Sequence, residues 1–413
     1  MTSKAPLRIG ITSLAQSNWL AGKSFTDVVI NGLYRAADPA QERLFLITSE
    51  ESPEVPSGVE VLRVLPADLS LPGKLRRAAL RARDQRPVLP GEWSIRSRLG
   101  LIEPSNPAHV ARSAKIDVVL PVTRVHSPGI DLRTVGWIPD FQHRFLPKLF
   151  SAAEVQERDA FFGELAAHAD RLILSSQTVQ RHFARFYPEH AARSRVASFP
   201  SVLAFTPPTG DPRAAVAKYG LPEKFALVVN QFWSHKNHAL VVEALALSAA
   251  QGMKIPLVMV GGLGDYRDPN AAVVSGLLQR MVSTGVWGHV FVLGKVPFAD
   301  LLGLLRSAAV VVQPSQFEGW STTVQDAKTL GRPVMCSDIE VHREQAPDAL
   351  GFFGCDRPDE LARLFVDRWP TLPAGPDPAR EAAALAEAER FAARYGEILI
   401  RTCREAVNRP RGG

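Results

Sequence analysis

The feature that most limits how this chain can fold is an alternation of short β-branched runs with helical stretches, interrupted once by clustered prolines and then resumed. From Leu7 to Phe199, the runs Leu7-Arg8-Ile9-Gly10-Ile11, Leu44-Phe45-Leu46-Ile47, Asp117-Val118-Val119-Leu120, Thr134-Val135-Gly136-Trp137-Ile138 and Leu172-Ile173-Leu174 read as strands. Phe25 to Ala36 and Glu154 to Ala169 read as helices. Such alternation predicts a parallel sheet flanked by helices. The stretch from Phe199-Pro200 to Pro207-Pro208-Thr209-Gly210-Asp211-Pro212 breaks the pattern and reads as a linker. Beyond it, Phe225 to Val229, Leu257 to Val260, Val290 to Leu293, Val310 to Val312 and Pro333 to Cys336 restart it, and Ala379 to Arg404 reads as one long helix. The expectation is an α/β chain of two Rossmann-like α/β/α domains, residues 1–205 and 213–389, facing each other across a cleft. In open sheets of this kind ligands bind beyond the carboxyl ends of the strands, so the loops leaving the strands are where chemistry is sought.

A chain of 413 residues, 46% hydrophobic and 22% charged, can fill two ordinary domains and falls outside the disordered class. Its three cysteines, Cys336, Cys355 and Cys403, form neither a disulfide framework nor a Cys-x-x-Cys zinc motif. No apolar run approaches the ~20 residues of a membrane span, so a cytoplasmic protein is expected. The net charge of +6 is concentrated in residues 71–100, where Lys74, Arg76, Arg77, Arg81, Arg83, Arg86, Arg96 and Arg98 face only Asp84 and Glu92. With Leu71, Leu75 and Leu80 between them, these residues suit contact with an anionic membrane surface on its inner face; a solvated helix and loop is the plainer alternative. Nucleic acid is not an expected partner, because no aromatic-rich recognition module accompanies the charge.

The most informative loop is Pro314-Ser315-Gln316-Phe317-Glu318-Gly319-Trp320-Ser321-Thr322-Thr323-Val324-Gln325-Asp326. It reads as a strand exit with an acid, a helix opened by Ser321, and a second acid inside that helix. The N–H groups of Gly319, Trp320, Ser321, Thr322 and Thr323 at such a helix start suit a diphosphate, with Glu318 and Asp326 gripping opposite ends of the ligand. A plain capped helix with a solvated Glu318 is the alternative. Lys236, in the loop after the first strand of the second domain, can place its ammonium on a phosphate. His235 and His238 lack a third ligand nearby, so no metal is expected. Gly262, in Val260-Gly261-Gly262-Leu263-Gly264-Asp265, and Lys295-Val296, after Gly294, lie on strand exits that can let a base or ribose approach the main chain. They do not form a G-x-G-x-x-G fingerprint. In the first domain Gly22-Lys23-Ser24 ends like a P-loop, but its earlier glycine would fall at Ser17, so Gly22 is read instead as a loop residue approaching a ligand phosphate. Asp140 and His143 leave another strand and suit acceptor binding, or else a helix cap and a packing residue.

Together these segments resemble glycosyltransferase family 4, the retaining enzymes of the GT-B fold. The resemblance covers nearly the whole chain and is strongest from Phe225 to Cys336. The family's E-x7-E motif matches Glu318 and Asp326, the second acid shortened; its Arg-x4-Lys pair matches Gln231 and Lys236, one cation missing. Its histidine-aspartate pair matches Pro139-Asp140, and the Ala21-Gly22 loop matches its Gly-Gly loop with one glycine lost. The resemblance implies that Glu318 meets the donor sugar, Asp326 the ribose, the Thr322 and Thr323 amides the diphosphate, and that a helix from about 390 to 413 returns to the first domain. It implies metal-independent transfer of a sugar, with retained anomeric configuration, from a nucleotide-diphosphate sugar to a glycan or lipid-linked acceptor. That fits assembly of a surface polysaccharide or glycolipid, with a mannosyl- or rhamnosyl-type donor. An inactive donor-binding partner subunit and a sugar-nucleotide epimerase are the alternatives.

Overall fold

A computed structural model of the chain describes residues 5–14, 20–64, 107–123 and 132–410. The basic segment 71–100 lies outside the described residues, as does the stretch 15–19 that precedes Gly22. Among the described residues, the first sheet holds seven strands: β1 Leu7–Thr12, β2 Glu42–Thr48, β3 Val59–Arg63, β4 Val118–Val122, β5 Arg133–Ile138, β6 Arg171–Leu174 and β7 Ser194–Val196. The second holds six: β8 Ala226–Val229, β9 Leu257–Val260, β10 Val290–Gly294, β11 Val310–Gln313, β12 Val334–Ser337 and β13 Gly351–Phe353. The strand orders are β3-β2-β1-β4-β5-β6-β7 and β10-β9-β8-β11-β12-β13. Every neighbouring pair is parallel.

Both sheets are covered on two faces, which explains why β9 and β11 are unbroken apolar or buried runs rather than alternating ones. In each sheet the chain first winds outward and then returns to the far side of its first strand. The direction therefore reverses between β1 and β4 in one sheet and between β8 and β11 in the other. A crevice opens beyond the carboxyl ends at such a reversal. The loops after β8 and β11, which hold Lys236 and Glu318, flank that crevice. Strands β3, β7 and β13 were not anticipated from the sequence; they are sheet edges, and two of them have only three residues.

The terminal helix Pro378–Val407 leaves the second domain and packs on the first. Its Tyr395, Leu399, Ile400, Cys403 and Ala406 join the core built on Ile9, Ile11 and Val118. It crosses helix Leu20–Ala36 so closely that a Cβ added to Gly396 would overlap the Gly32 carbonyl and lie 2.8 Å from the Ala36 Cβ. Glycine is disfavoured in a helix interior by about 1 kcal/mol relative to alanine. Here contact outweighs propensity. Gly396→Ala is expected to lower stability by about 1–3 kcal/mol in urea denaturation; a variant as stable as the parent would show that the helices can part without loss.

Candidate donor site

The β8 exit is shaped by packing. Phe232 is buried and its ring stacks on His238 at 4.3 Å and 7°. This stack brings the start of helix His238–Ala250 back against the strand exit. The single 3-10 turn Ser234–Lys236 between them ends at Asn237, whose φ of 57° turns the chain into the helix. The turn presents Lys236 to the β11 exit. There Nζ of Lys236 donates to Oε1 of Glu318 at 2.5 Å, with both side chains largely buried.

A buried ion pair costs desolvation and holds only if its remaining polar groups are satisfied. Gln313, the last residue of β11, provides this. Its Nε2 donates to Glu318 Oε1 at 2.9 Å and to Ser321 Oγ at 3.0 Å, while its Oε1 accepts from Asn230 Nδ2 at 2.8 Å. One amide thus ties the ends of the two strands at the reversal to both the acid and the helix cap. Ser321 caps helix Thr322–Thr329 by accepting from the Val324 N–H at 3.3 Å. Burial pushes the Glu318 carboxyl up, but the Lys236 charge and hydrogen bond outweigh it, with help from His342 and Ser315, and hold it below the usual range. Burial first and Lys236 second push His235 down to about 3, and burial pushes His342 down to about 4. Both imidazoles are neutral at physiological pH.

The first domain closes on this loop. A Cβ on Gly319 would overlap the Pro139 carbonyl and lie 2.8 Å from the Asp140 Cβ, so only glycine allows the contact. Asp140 is thereby brought beside Glu318: burial raises its carboxyl, the Gln142 N–H and Arg158 oppose this, and the Glu318 charge adds to the rise. Oδ1 of Asp140 accepts from the Gln142 N–H at 2.8 Å. A separate grouping unites three strand exits of the second domain. The Lys295 Cε lies 3.0 Å, and the Gln231 Oε1 3.8 Å, from where a Gly262 Cβ would be. Val296 instead packs at the margin of the core that contains Val258 and Leu304.

The structure refines three expectations. For His143 it shows the packing alternative: the residue is buried, its Nε2 lies 2.9 Å from Asp159 Oδ1, and its ring meets Phe162 edge-on at 5.4 Å. Gly22 is not a loop residue but is buried in the first turn of helix Leu20–Ala36, where its carbonyl accepts from Thr26 Oγ1 at 2.8 Å. At the helix start, one of the five N–H groups, that of Ser321, is engaged, and two neighbouring side chains are tied down. The Ser321 N–H donates to Gln345 Oε1 at 3.0 Å, the Trp320 indole donates to the Phe199 carbonyl at 3.0 Å, and Thr323 Oγ1 donates to the Val229 carbonyl at 2.7 Å. Thr322 remains exposed. Gln313, Gln345 and Ser201 were not singled out from the sequence; of these, only Gln313, a polar residue ending an apolar strand, carried a local signal.

Residues 214–366 match the family model described as glycosyl transferases group 1. The chain is similar to the D-inositol 3-phosphate glycosyltransferase of Segniliparus rotundus, 25% identical over 211 residues, or 50% of this chain and 43% of that protein. It is also similar to the O-antigen chain mannosyltransferase B of Escherichia coli, 31% identical over 134 residues, or 32% of this chain and 33% of that protein. The chain thus spans less than half the length of either relative. Among solved structures, Anabaena HepE in complex with UDP and glucose matches with a TM-score of 0.56 at 14% identity, over 95% of this chain and 96% of that one. At that identity the likeness concerns architecture: both halves together form the GT-B fold.

The Lys236–Glu318 pair lies inside the group 1 glycosyltransferase match, and so does Asp326. Asp326 accepts from Ser201 Oγ, in the linker, at 2.6 Å; burial pushes its carboxyl up to about 6 against the opposing effect of that bond. Among the described residues no cluster of three His, Cys, Asp or Glu side chains could hold a metal ion, and no helix is long and apolar enough to cross a membrane.

Two pH-dependent outcomes follow. Lys236→Met leaves Glu318 buried without its counter-charge and is expected to cost about 3–5 kcal/mol at pH 7.5. Without Lys236 burial is opposed only by the weaker contacts with His342, Ser315 and Gln313 and the carboxyl protonates more readily, so the loss shrinks near pH 4.5; an equal loss at both pH values in urea denaturation would contradict the assignment. Asp326 has the opposite sign. Its folded value stands above the usual 3.8, so its contribution is present at low pH and lost as pH rises through about 6. Asp326→Asn should flatten the stability profile between pH 4 and 6 and add about 1–3 kcal/mol at pH 7.5; an unchanged slope would show that another group titrates there.

Proposed function

We propose that this chain is a retaining glycosyltransferase of family 4, moving a sugar from a nucleotide-diphosphate donor to an acceptor hydroxyl in the cytoplasm, for a surface polysaccharide or glycolipid. The observation that carries this reading is the buried Lys236–Glu318 pair beside a capped helix start at the strand-order reversal. The ammonium of Lys236 meets the diphosphate, Glu318 the sugar hydroxyls, and the exposed helix start at Thr322 the phosphate oxygens. The HepE structure holds UDP and glucose, which supports a nucleotide sugar as the ligand here. Gln231, Gly262 and Lys295 line the same end of the sheet and suit the remainder of the nucleotide, with Asp140 on the acceptor side.

In the step itself, the bond from the anomeric carbon to the terminal phosphate oxygen breaks and its electron pair leaves with the phosphate. The acceptor oxygen bonds to the anomeric carbon from the same face, and its proton passes to the departing phosphate. The chief requirement is to stabilise charge on that phosphate as it leaves, and a fixed ammonium in a water-poor site meets it. Neither protonation nor reorganisation of Lys236 is needed at that moment. Glu318 meanwhile keeps the ammonium from attracting unrelated anions while no donor is bound.

Purified protein should release nucleotide from one member of a panel of UDP-, GDP-, ADP- and dTDP-sugars when acceptor is present, and NMR of the product should show the donor's anomeric configuration. Glu318→Gln, which leaves Lys236 an acceptor, should lower turnover about 10²–10³-fold with an unchanged circular dichroism spectrum. An inverted product would refute the retaining assignment. Nucleotide binding without release across the panel would instead support an inactive donor-binding subunit, for which the engagement of Asp326 with Ser201 is the favouring observation.

A further inference from the structure

Helix Glu340–Gln345 follows β12 by two residues and stands between the domains. Toward the first domain it presents two acids four residues apart, and residues so spaced share one face of a helix. The Glu344 carboxylate accepts from the Gln177 N–H at 2.8 Å, the Thr178 N–H at 3.0 Å and Thr178 Oγ1 at 3.0 Å. These are the leading N–H groups of helix Gln177–Phe186, whose own cap, Ser176, accepts from Val179 at 3.1 Å. Glu340 accepts from Arg181 Nη2 at 2.7 Å one turn further along. The first domain's helix is therefore completed by an acid of the second.

The next residue, Gln345, faces the donor loop. It is 3% exposed, its Oε1 accepts from the Ser321 N–H at 3.0 Å, and its Nε2 donates to the Ser321 carbonyl at 2.8 Å. One side-chain amide holds both main-chain groups of the residue that caps helix Thr322–Thr329. Lys328, at the other end of that helix, donates to the Gln345 carbonyl at 2.7 Å. The helix Glu340–Gln345 is itself tied to β12, where Ser337 lies 3.1 Å from His342 Nδ1.

We propose that Gln345 is a positioning residue for the donor loop, and that its neighbour Glu344 makes this positioning depend on the docking of the two domains. When Glu344 caps helix Gln177–Phe186, the helix Glu340–Gln345 is fixed at both ends. Ser321 then stands where Gln313 can bond its hydroxyl and Glu318 together. When the domains part, Glu344 loses three acceptor contacts, its helix loosens, and the Ser321 main chain loses its clamp. The nature of the ligand rests on the reading under Proposed function; the coupling does not.

The test is hydrogen exchange on the full chain, with Glu344→Ala, Glu344→Gln and Gln345→Ala. Gln345→Ala should speed exchange of the Ser321 to Val324 amides. Glu344→Ala, which touches none of them, should speed the same amides about fivefold or more, on the scale of ordinary coupling between sites. Glu344→Gln keeps one acceptor oxygen but turns an amide donor toward the other N–H, and should fall between the parent and Glu344→Ala. Binding of UDP, GDP, ADP and dTDP, followed by calorimetry, should weaken in the same order for whichever of them binds. Faster exchange at Gln177 to Val179 without change at Ser321 to Val324 in Glu344→Ala would overturn the coupling, and unchanged exchange in Gln345→Ala would overturn the positioning role. If none of the four nucleotides binds while the exchange pattern holds, the donor reading fails and the coupling stands.

Discussion

A buried ammonium and a buried carboxylate at 2.5 Å organise the centre of this molecule. Removing two charges from water is costly, and their mutual attraction offsets the cost only where geometry and surrounding hydrogen bonds are good. Those conditions explain much that surrounds the pair. Gln313 must end β11 rather than another apolar residue, because its amide satisfies Glu318 and Ser321 on one side and Asn230 on the other. The Phe232–His238 stack must hold the turn that carries Lys236. A core of ordinary hydrophobic strands is thereby made to support a polar cluster at the sheet's reversal point.

The second consequence concerns how the halves meet. The Glu318 loop and the helix it opens are bonded not only within their domain but also to the linker, by Trp320 to Phe199 and by Ser201 to Asp326. Gly319 presses on Pro139 and Asp140. The loop that carries the acid is thus also the loop on which the first domain rests. Closure and site geometry are parts of one contact set.

Much of the architecture was legible because parallel strands buried on both faces are apolar along most of their length, as β8, β9, β11 and β12 are. The edge strands escaped notice because a short strand with exposed positions, such as Val59–Arg63, has no distinctive run. Lys236 and Glu318 were legible for a local reason: each lies a few residues beyond a strand end, where an open sheet leaves room. For His143 acceptor binding and packing both stayed open in the sequence because the acid that claims it, Asp159, lies sixteen positions on in a different helix. Ser201 and Gln345 were invisible for the same reason, since their meaning comes from partners 125 and 24 residues away.

The shortened second acid illustrates how such distant partners change a residue's meaning. An aspartate inside helix Thr322–Thr329 could be judged from sequence only by its reach toward a ligand. In the folded chain its oxygen is bonded to the linker serine, whose own oxygen accepts the Leu203 N–H at 3.1 Å, so the hydroxyl proton is directed to the carboxylate. A glutamate would carry its carboxylate one methylene further from the helix and would have to displace Ser201 or bend away from it. The loss of reach is therefore matched by a gain in attachment between the domains, and the length of this one side chain sets whether the helix has a second tie to the linker beside that of Trp320.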